Sequence, residues 1–305
     1  MISRRNTIKL LALSGAGVLT TGFRLERILG NTMLTRKIPA TGEDLPVVGL
    51  GTWRAFDVGS SQKERDTLKD VLTLMKEKGG TLIDSSPMYG SAEEVVGDLT
   101  HDLKIEDYFF YATKVWTSGK DDGIRQMNES FRKMKRDKMD LMQIHNMVDW
   151  RTHIKTLRQW KDEGKIRYIG ITHYTESGYA ELESIMKSEK PDFAQFNYSI
   201  DKRESEERLL PLAKELGIAV LINRPFGGGN LFSKVKGKTL PDWAKDFDIE
   251  SWGQFFLKFI LSNDAVTCVI PGTSNPKHLV DNTLAGYGKL PNESTREKMA
   301  EYLNL

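Results

Sequence analysis

Four side chains in this sequence have types and spacing suited to moving a proton onto an oxygen: Asp84, Tyr89, Lys114 and His145. Asp84 ends the apolar run 81–84, and Tyr89 follows in a turn of small residues and proline, Ser85-Ser86-Pro87-Met88-Tyr89-Gly90. Lys114 follows apolar residues 109–112, so its ammonium is expected to be partly desolvated and to need a counter-charge, which Asp84 can supply. A tyrosine has an ordinary pKa of about 10 and is a poor proton donor at neutral pH. An ammonium beside it would stabilise the phenolate and lower that pKa. His145 can hydrogen-bond a substrate oxygen and help move the proton. The set fits delivery of a proton to a developing alkoxide while another group delivers hydride. Each residue alone has a plainer reading, Asp84–Lys114 as a structural ion pair and Tyr89 as a core or surface residue. Their order on successive strand ends carries the functional one.

The elements that must position these residues alternate regularly. Residues 33–42 and 46–53, broken by Thr41-Gly42-Glu43-Asp44, read as a hairpin followed by a first strand, 47–51. Strands are expected at 81–84, 108–115, 139–145, 166–171, 193–197, 218–223 and 266–270. Helices are expected at 62–78, 92–103, 123–134, 151–163, 176–187, 204–216, 249–262 and 276–286, with a last one at 295–303. Ser91-Ala92-Glu93-Glu94 is a helix start, with a capping residue and acids in the first turn. The strands are short and continuously apolar, as buried parallel strands are, and the helices are amphipathic. Eight strands each followed by a helix predict an α/β fold, a (β/α)8 barrel of the TIM type, with an N-terminal β-hairpin and a C-terminal helical tail. No G-x-G-x-x-G follows the first strand, which disfavours a doubly wound open sheet.

A barrel builds its site at the C-terminal ends of its strands. The residues placed there are Thr52, Trp53 and Arg54; Asp84 and Tyr89; Lys114 and Trp116; His145 and Asn146; Thr172, His173 and Tyr174; Gln195 and Asn197; Asn223 and Arg224; and Gly272, Thr273 and Ser274.

Composition bounds the partners. The chain has 305 residues, 44 basic and 42 acidic, and a net charge of +2 gives no support for nucleic-acid binding. No apolar run approaches the roughly 18 residues of a membrane span. The single cysteine, Cys268, excludes an intrachain disulfide and a Cys-rich metal site, and its place in the apolar run 266–270 reads as a buried small hydrophobe. No two histidines have the spacing of a zinc-binding helix, so no metal is expected. His101 and His153 read as surface residues, and the charges 203–208 as a solvated face.

The N-terminus departs from this composition. Arg4, Arg5 and Lys9 precede a mildly apolar segment, 10–19, rich in Gly, Ala and Ser, which is the layout of a secretory leader. Ser3-Arg4-Arg5-Asn6-Thr7-Ile8-Lys9 resembles the twin-arginine export signal, with Thr7 where that signal usually has an aromatic residue. We therefore expect residues 1–30 to be a signal peptide and 31–305 the barrel. This implies the twin-arginine machinery as a partner and a periplasmic or otherwise exported, soluble mature protein. The leader holds five basic residues and one acid, which leaves about −2 for the rest.

Asp84-x4-Tyr89-Gly90, Lys114 in ATKVW and His145 in DLMQIH resemble the catalytic tetrad of the aldo-keto reductases. LPVVGLGTW resembles that family's first strand and IPGTSNPKHLVDN its final cofactor segment. The resemblance covers about residues 34–303. It implies reduction of an aldehyde or ketone to an alcohol by NAD(P)H, with Tyr89 as acid, Lys114 and Asp84 tuning it and His145 orienting the substrate. It implies a cofactor site of Thr52, Trp53, Thr172, His173, Gln195, Asn223, Arg224, Pro225, Phe226, Gly227, Gly229, Gly272, Thr273, Ser274, His278, Asp281 and Asn282. Gln195 would hold the carboxamide, and Gly227–Gly229 would admit the pyrophosphate. Trp53, Met88, Trp116, Asn146 and Trp150 would meet a small carbonyl substrate in a monomeric enzyme.

Three features depart from the family pattern. Thr172-His173 stands where Ser-Asn is common, and Asn223 replaces an aromatic that stacks on the nicotinamide. Gly272 occupies the lysine position of a basic pair, and Lys277 and His278 fall at or beside the arginine position. NADP(H) is still expected over NAD(H). Two other readings remain open: a non-catalytic exported barrel that binds or senses a nucleotide or small molecule, and a lyase using Lys114 as a Schiff base, which leaves Tyr89 unexplained.

Overall fold

The computed structural model describes residues 32–304; the leader assigned to residues 1–30 lies outside them. A hairpin comes first, β1 (Thr35–Lys37) with β2 (Asp44–Pro46). Eight parallel strands follow in one sheet: β3 (Leu50–Gly51), β4 (Leu82–Asp84), β5 (Phe110–Val115), β6 (Met139–His145), β7 (Ile166–Thr172), β8 (Phe193–Asn197), β9 (Ala219–Asn223) and β10 (Cys268–Val269). Each pairs with the next in chain order. The sheet closes where Val48 bridges Val269 and Gly51 bridges Gly272. Glycine is needed at that seam, because a Cβ on Gly51 would lie 2.8 Å from the Ile270 carbonyl oxygen. This is the (β/α)8 barrel expected from the alternation.

The helices are α1 (Gln62–Glu77), α2 (Ala92–Asp102), α3 (Lys120–Lys133), α4 (Trp150–Asp162), α5 (Tyr179–Glu189), α6 (Leu209–Leu216), α7 (Asn230–Lys234), α8 (Trp252–Leu261), α9 (Pro276–Leu284) and the tail α10 (Glu293–Tyr302). Their spacing follows the apolar stripe: Leu68, Val71, Leu72 and Met75 of α1 are all buried. An outer core lies between strands and helices. A smaller inner core holds Leu82, Phe110, Leu141, Phe193 and Cys268, joined by Ile38 and Leu45 from the hairpin region. Cys268 is fully buried, and burial pushes its thiol well above the usual range.

Several expectations change. Residues 204–216 do not form one helix: a 3-10 turn at Glu204–Glu206 precedes α6. Of the charges there, Glu204, Glu207 and Arg208 are exposed as expected, whereas Glu206 turns inward and accepts from Arg203, from the Tyr198 hydroxyl and from Arg296 of α10. His153 is fully buried, with Nε2 2.7 Å from the Thr117 carbonyl oxygen, whereas His101 is exposed. The connection 235–251 contains the 3-10 turn Asp242–Phe247. Among the described residues no helix is long and apolar enough to cross a membrane.

Candidate active site

Strand register explains how distant residues meet. Side chains alternate faces along a strand, so residues two apart share a face. Asp84 pairs with Ala112, two before Lys114; Lys114 pairs with Gln143, two before His145; His145 pairs with Thr172, and Thr172 with Gln195. The stagger of a barrel therefore carries Asp84, Lys114, Gln143, His145, Thr172 and Gln195 up one continuous face.

Lys114 is fully buried. Its Nζ donates to Asp84 Oδ2 at 2.7 Å and to the Ser85 carbonyl oxygen at 2.6 Å. The other Asp84 oxygen, Oδ1, accepts from Gln143 Nε2 at 3.0 Å and Gln195 Nε2 at 3.1 Å. Gln195 Oε1 in turn accepts from the Thr172 hydroxyl at 3.0 Å. Gln143 reaches Asp84 across a gap left by Gly170, where a Cβ would lie 2.7 Å from Gln143 Cγ. Burial acts against the Lys114 charge, but Asp84 and Tyr89 together outweigh it and the ammonium pKa stays above its ordinary value.

Tyr89 stands beside this pair, with Lys114 Nζ 5.0 Å from its ring centroid. Its pKa is not lowered as expected. Burial of the phenol raises it, and Lys114 only partly offsets that. The phenol is therefore fully protonated at neutral pH, the form that can donate. His145 meets the Tyr89 ring edge to face at 5.9 Å, and Trp116 lies 6.4 Å from it. Burial, then Lys114, drives the His145 pKa down to about 2, so the imidazole is neutral.

These groups open onto a cavity of about 1090 Å³. Its wall includes Thr52, Trp53, Asp84, Met88, Tyr89, Trp116, His145, Asn146, Thr172 and Gln195. From the later strands come Asn223, Arg224, Pro225, Phe226, Gly229, Gly272, Thr273, His278, Asp281 and Asn282. Lys114 lies behind the wall, buried under Tyr89 and Asp84.

Four expected wall residues are elsewhere. Trp150 begins α4 and packs against the outer core with Arg151 over its ring. The preceding backbone turns through left-handed residues at Asn146, Met147 and Asp149, which places α4 differently from a direct strand-to-helix step. His173 stacks on Tyr174 and takes the Thr175 amide on Nδ1. Gly227 faces Asp201, 3.4 Å from where a Cβ would sit. Ser274 is exposed beyond the wall.

Other wall residues have no site role in the sequence reading: Gly51, Arg54, Tyr174, Phe232, Ser251, Trp252, Gly253 and Ile270. Arg54 and Tyr174 stand at expected strand ends. Phe232 and Trp252 belong to an aromatic group with Phe226 and Phe256, with Phe226 and Phe232 centroids 5.0 Å apart. The run WGQFFLKFIL, apolar on nearly every side, was the available signal for it. Ser251 caps α8 through the Gln254 amide and donates to Asp281 Oδ2 at 2.7 Å, and Gln254 holds Asp281 Oδ1.

Comparison with known proteins places the chain in a family. The Aldo/keto reductase family matches residues 47–298, and the chain belongs to it. It is 26% identical over 257 residues to the methylglyoxal reductase YeaE of Escherichia coli, a match covering 82% of this chain and 89% of that protein. It is also 26% identical over 213 residues to the aldo-keto reductase YhdN of Bacillus subtilis, covering 65% of this chain and 63% of that one. In fold it is similar to an aldo/keto reductase from Klebsiella pneumoniae solved with NADP and acetate, with a TM-score of 0.73, 23% identity, and 86% and 93% of the two chains covered.

Proposed function

We propose that this chain reduces an aldehyde or ketone to an alcohol with NADPH. The observation that carries the reading is the buried Lys114–Asp84 pair under Tyr89, with neutral His145 beside it, all opening on one cavity. An intact proton device of this kind favours an enzyme over a non-catalytic barrel.

The wall fits a dinucleotide. Gly228 and Gly229 have φ of +70° and +98°, bare backbone that lets phosphates approach closely, next to the Arg224 cation. Gly272 and Thr273 lead into α9, whose N-terminus, capped by Asn275 and opened by Pro276, favours an anion. His278 lies in its first turn and Asp281, Asn282, Ser251 and Trp252 nearby in the wall. These support the 2′-phosphorylated cofactor, as does the NADP held by the similar Klebsiella pneumoniae structure. When bound, the nicotinamide supplies the hydride.

The chain's own residues supply the rest. Tyr89 donates its phenolic proton to the carbonyl oxygen as negative charge develops there. Lys114 then faces the new phenolate and neutralises it, and Asp84 keeps that ammonium charged and fixed. Neutral His145 holds the same oxygen from the other side. Trp53, Met88, Trp116 and Asn146 wall the substrate. Thr172 and Gln195 already bond to one another, so each offers a cofactor amide only its remaining capacity.

Titration with NADPH and NADH, followed by fluorescence, tests this reading. Binding of NADPH ahead of NADH is expected, and binding of neither would sink it. Tyr89→Phe is expected to abolish aldehyde reduction with affinity for NADPH nearly intact. We further propose export by the twin-arginine route, on the strength of residues 3–9 and the weakly apolar segment after them. That route carries folded proteins and so would deliver the barrel with cofactor in place. Arg4-Arg5→Lys-Lys should block periplasmic delivery; unchanged delivery would argue against the route.

A further inference from the structure

Ser86 lies two residues past Asp84 and three before Tyr89, and it is fully buried. Its Oγ sits 2.9 Å from Nδ1 of His145. The same oxygen accepts the Met88 amide at 3.4 Å, and the Ser86 carbonyl accepts the Tyr89 amide at 3.0 Å. With its lone pairs turned to Met88, the Ser86 hydroxyl proton has one acceptor within reach, and that is Nδ1. The reverse arrangement, with Nδ1–H donating, would leave a buried hydroxyl proton without a partner, which is costly.

We infer that Ser86 is a positioning residue: its hydroxyl donates to Nδ1 of His145, fixing the tautomer that carries its proton on Nε2, on the side of the ring that serves the cavity. The inference rests on the reductase reading for its consequence but not for its geometry. Two aromatic neighbours, Tyr89 and Trp116, pack the ring and limit its tilt. They do not decide which nitrogen holds the proton, and the serine does. A lone pair at Nε2 would repel a carbonyl oxygen, whereas N–H there donates to it and strengthens the bond as charge develops. The low pKa of His145 agrees, since a neutral ring has a tautomer to fix.

The test is ¹⁵N spectroscopy of histidine-labelled protein, with kinetics beside it. In the wild type Nδ1 of His145 should be pyridine-like and Nε2 pyrrole-like. Ser86→Ala should mix the two forms and lower kcat roughly tenfold, a fraction of what a positioned proton donor contributes, with NADPH affinity unchanged. Ser86→Thr keeps the hydroxyl and should restore both spectrum and rate. A protonated Nδ1 in the wild type overturns the inference, as does a loss of rate in Ser86→Ala with an unchanged spectrum. The spectrum needs no turnover, so it stands apart from any failure of the reductase reading.

Discussion

Replacing Lys114 by methionine separates what the ion pair does for stability from what it does for chemistry. Lys114 and Asp84 are both buried and 2.7 Å apart. Removing one partner of such a pair costs about 3–5 kcal/mol, because the other charge is left without compensation. Here the low end applies, since Gln143 and Gln195 still donate to Asp84 Oδ1. A loss of about 3 kcal/mol lowers Tm by about 6 °C in a chain of this size. Now add Asp84→Asn. The amide oxygen keeps both glutamine bonds and the unpaired charge is gone. The remaining deficit is the bond from Nζ to the Ser85 carbonyl, 2.6 Å in the wild type and worth about 1 kcal/mol, together with the new amide's N–H groups, which now face the methionine side chain.

The double variant should therefore regain part of the lost stability, and both variants should be inactive, because nothing neutralises the Tyr89 phenolate. Urea unfolding gives the stabilities and NADPH consumption with an aromatic aldehyde gives the activities. If the double variant were no more stable than Lys114→Met alone, the account of Asp84 as an otherwise unpaired buried charge would be refuted. Activity surviving in either would refute the role given to the ammonium.

Two further outcomes follow from the same network. Burial and Lys114 hold His145 neutral down to about pH 2, whereas the unfolded residue takes a proton below about 6.5. Between those values the unfolded state binds more protons, so stability falls as pH falls, by up to about 1.4 kcal/mol per pH unit from this group. His145→Gln should show a shallower loss of stability than the wild type in urea titrations at pH 6, 5 and 4; parallel losses would contradict the depressed value. Gly170→Ala would place a methyl 2.7 Å from Gln143 Cγ and push that amide off Asp84. We expect a loss of about 1–3 kcal/mol, the cost of disturbing a buried hydrogen bond, with kcat reduced several-fold; Gln143→Ala on top should relieve the clash without restoring kcat.

The tetrad was legible because it needs only two facts, strand ends and strand order. Asp84, Lys114 and His145 each close or nearly close an apolar run, and β4, β5 and β6 are neighbours. The bonds that join them were not legible, since Gln143, Gly170 and Ser86 matter through register and loop shape. Tyr89 shows the limit of pairwise electrostatics: the ammonium was visible in the sequence, and the degree of burial that outweighs it was not. Trp150 and His153 were misplaced because a run of left-handed residues precedes α4, and an interrupted pattern hides which face turns inward. Phe232, Ser251 and Trp252 lie beyond the strand ends, in the connection between β9 and β10, where strand alternation gives no register.

The turn between β4 and α2 does more than carry Tyr89. The Ser85 amide bonds the Ala112 carbonyl at 2.8 Å, its hydroxyl takes Thr52 at 2.9 Å, and its carbonyl takes Lys114. Ser86 takes His145. Gly90, at φ +59°, ends the turn with no room for a Cβ, which would lie within 2.4 Å of the Asp57 carboxylate. Asp57 in turn accepts the Ser91 amide and hydroxyl, both at 2.9 Å, and those bonds hold its carboxyl below the usual range. The turn is thus tied to β3, β5 and β6 at once. Spacing alone would permit Asp-x4-Tyr on a loose loop, with the phenol free to miss the substrate. These ties remove that freedom before substrate arrives, so the geometry of proton delivery is set by the backbone of residues 85–91 as much as by the four side chains it serves.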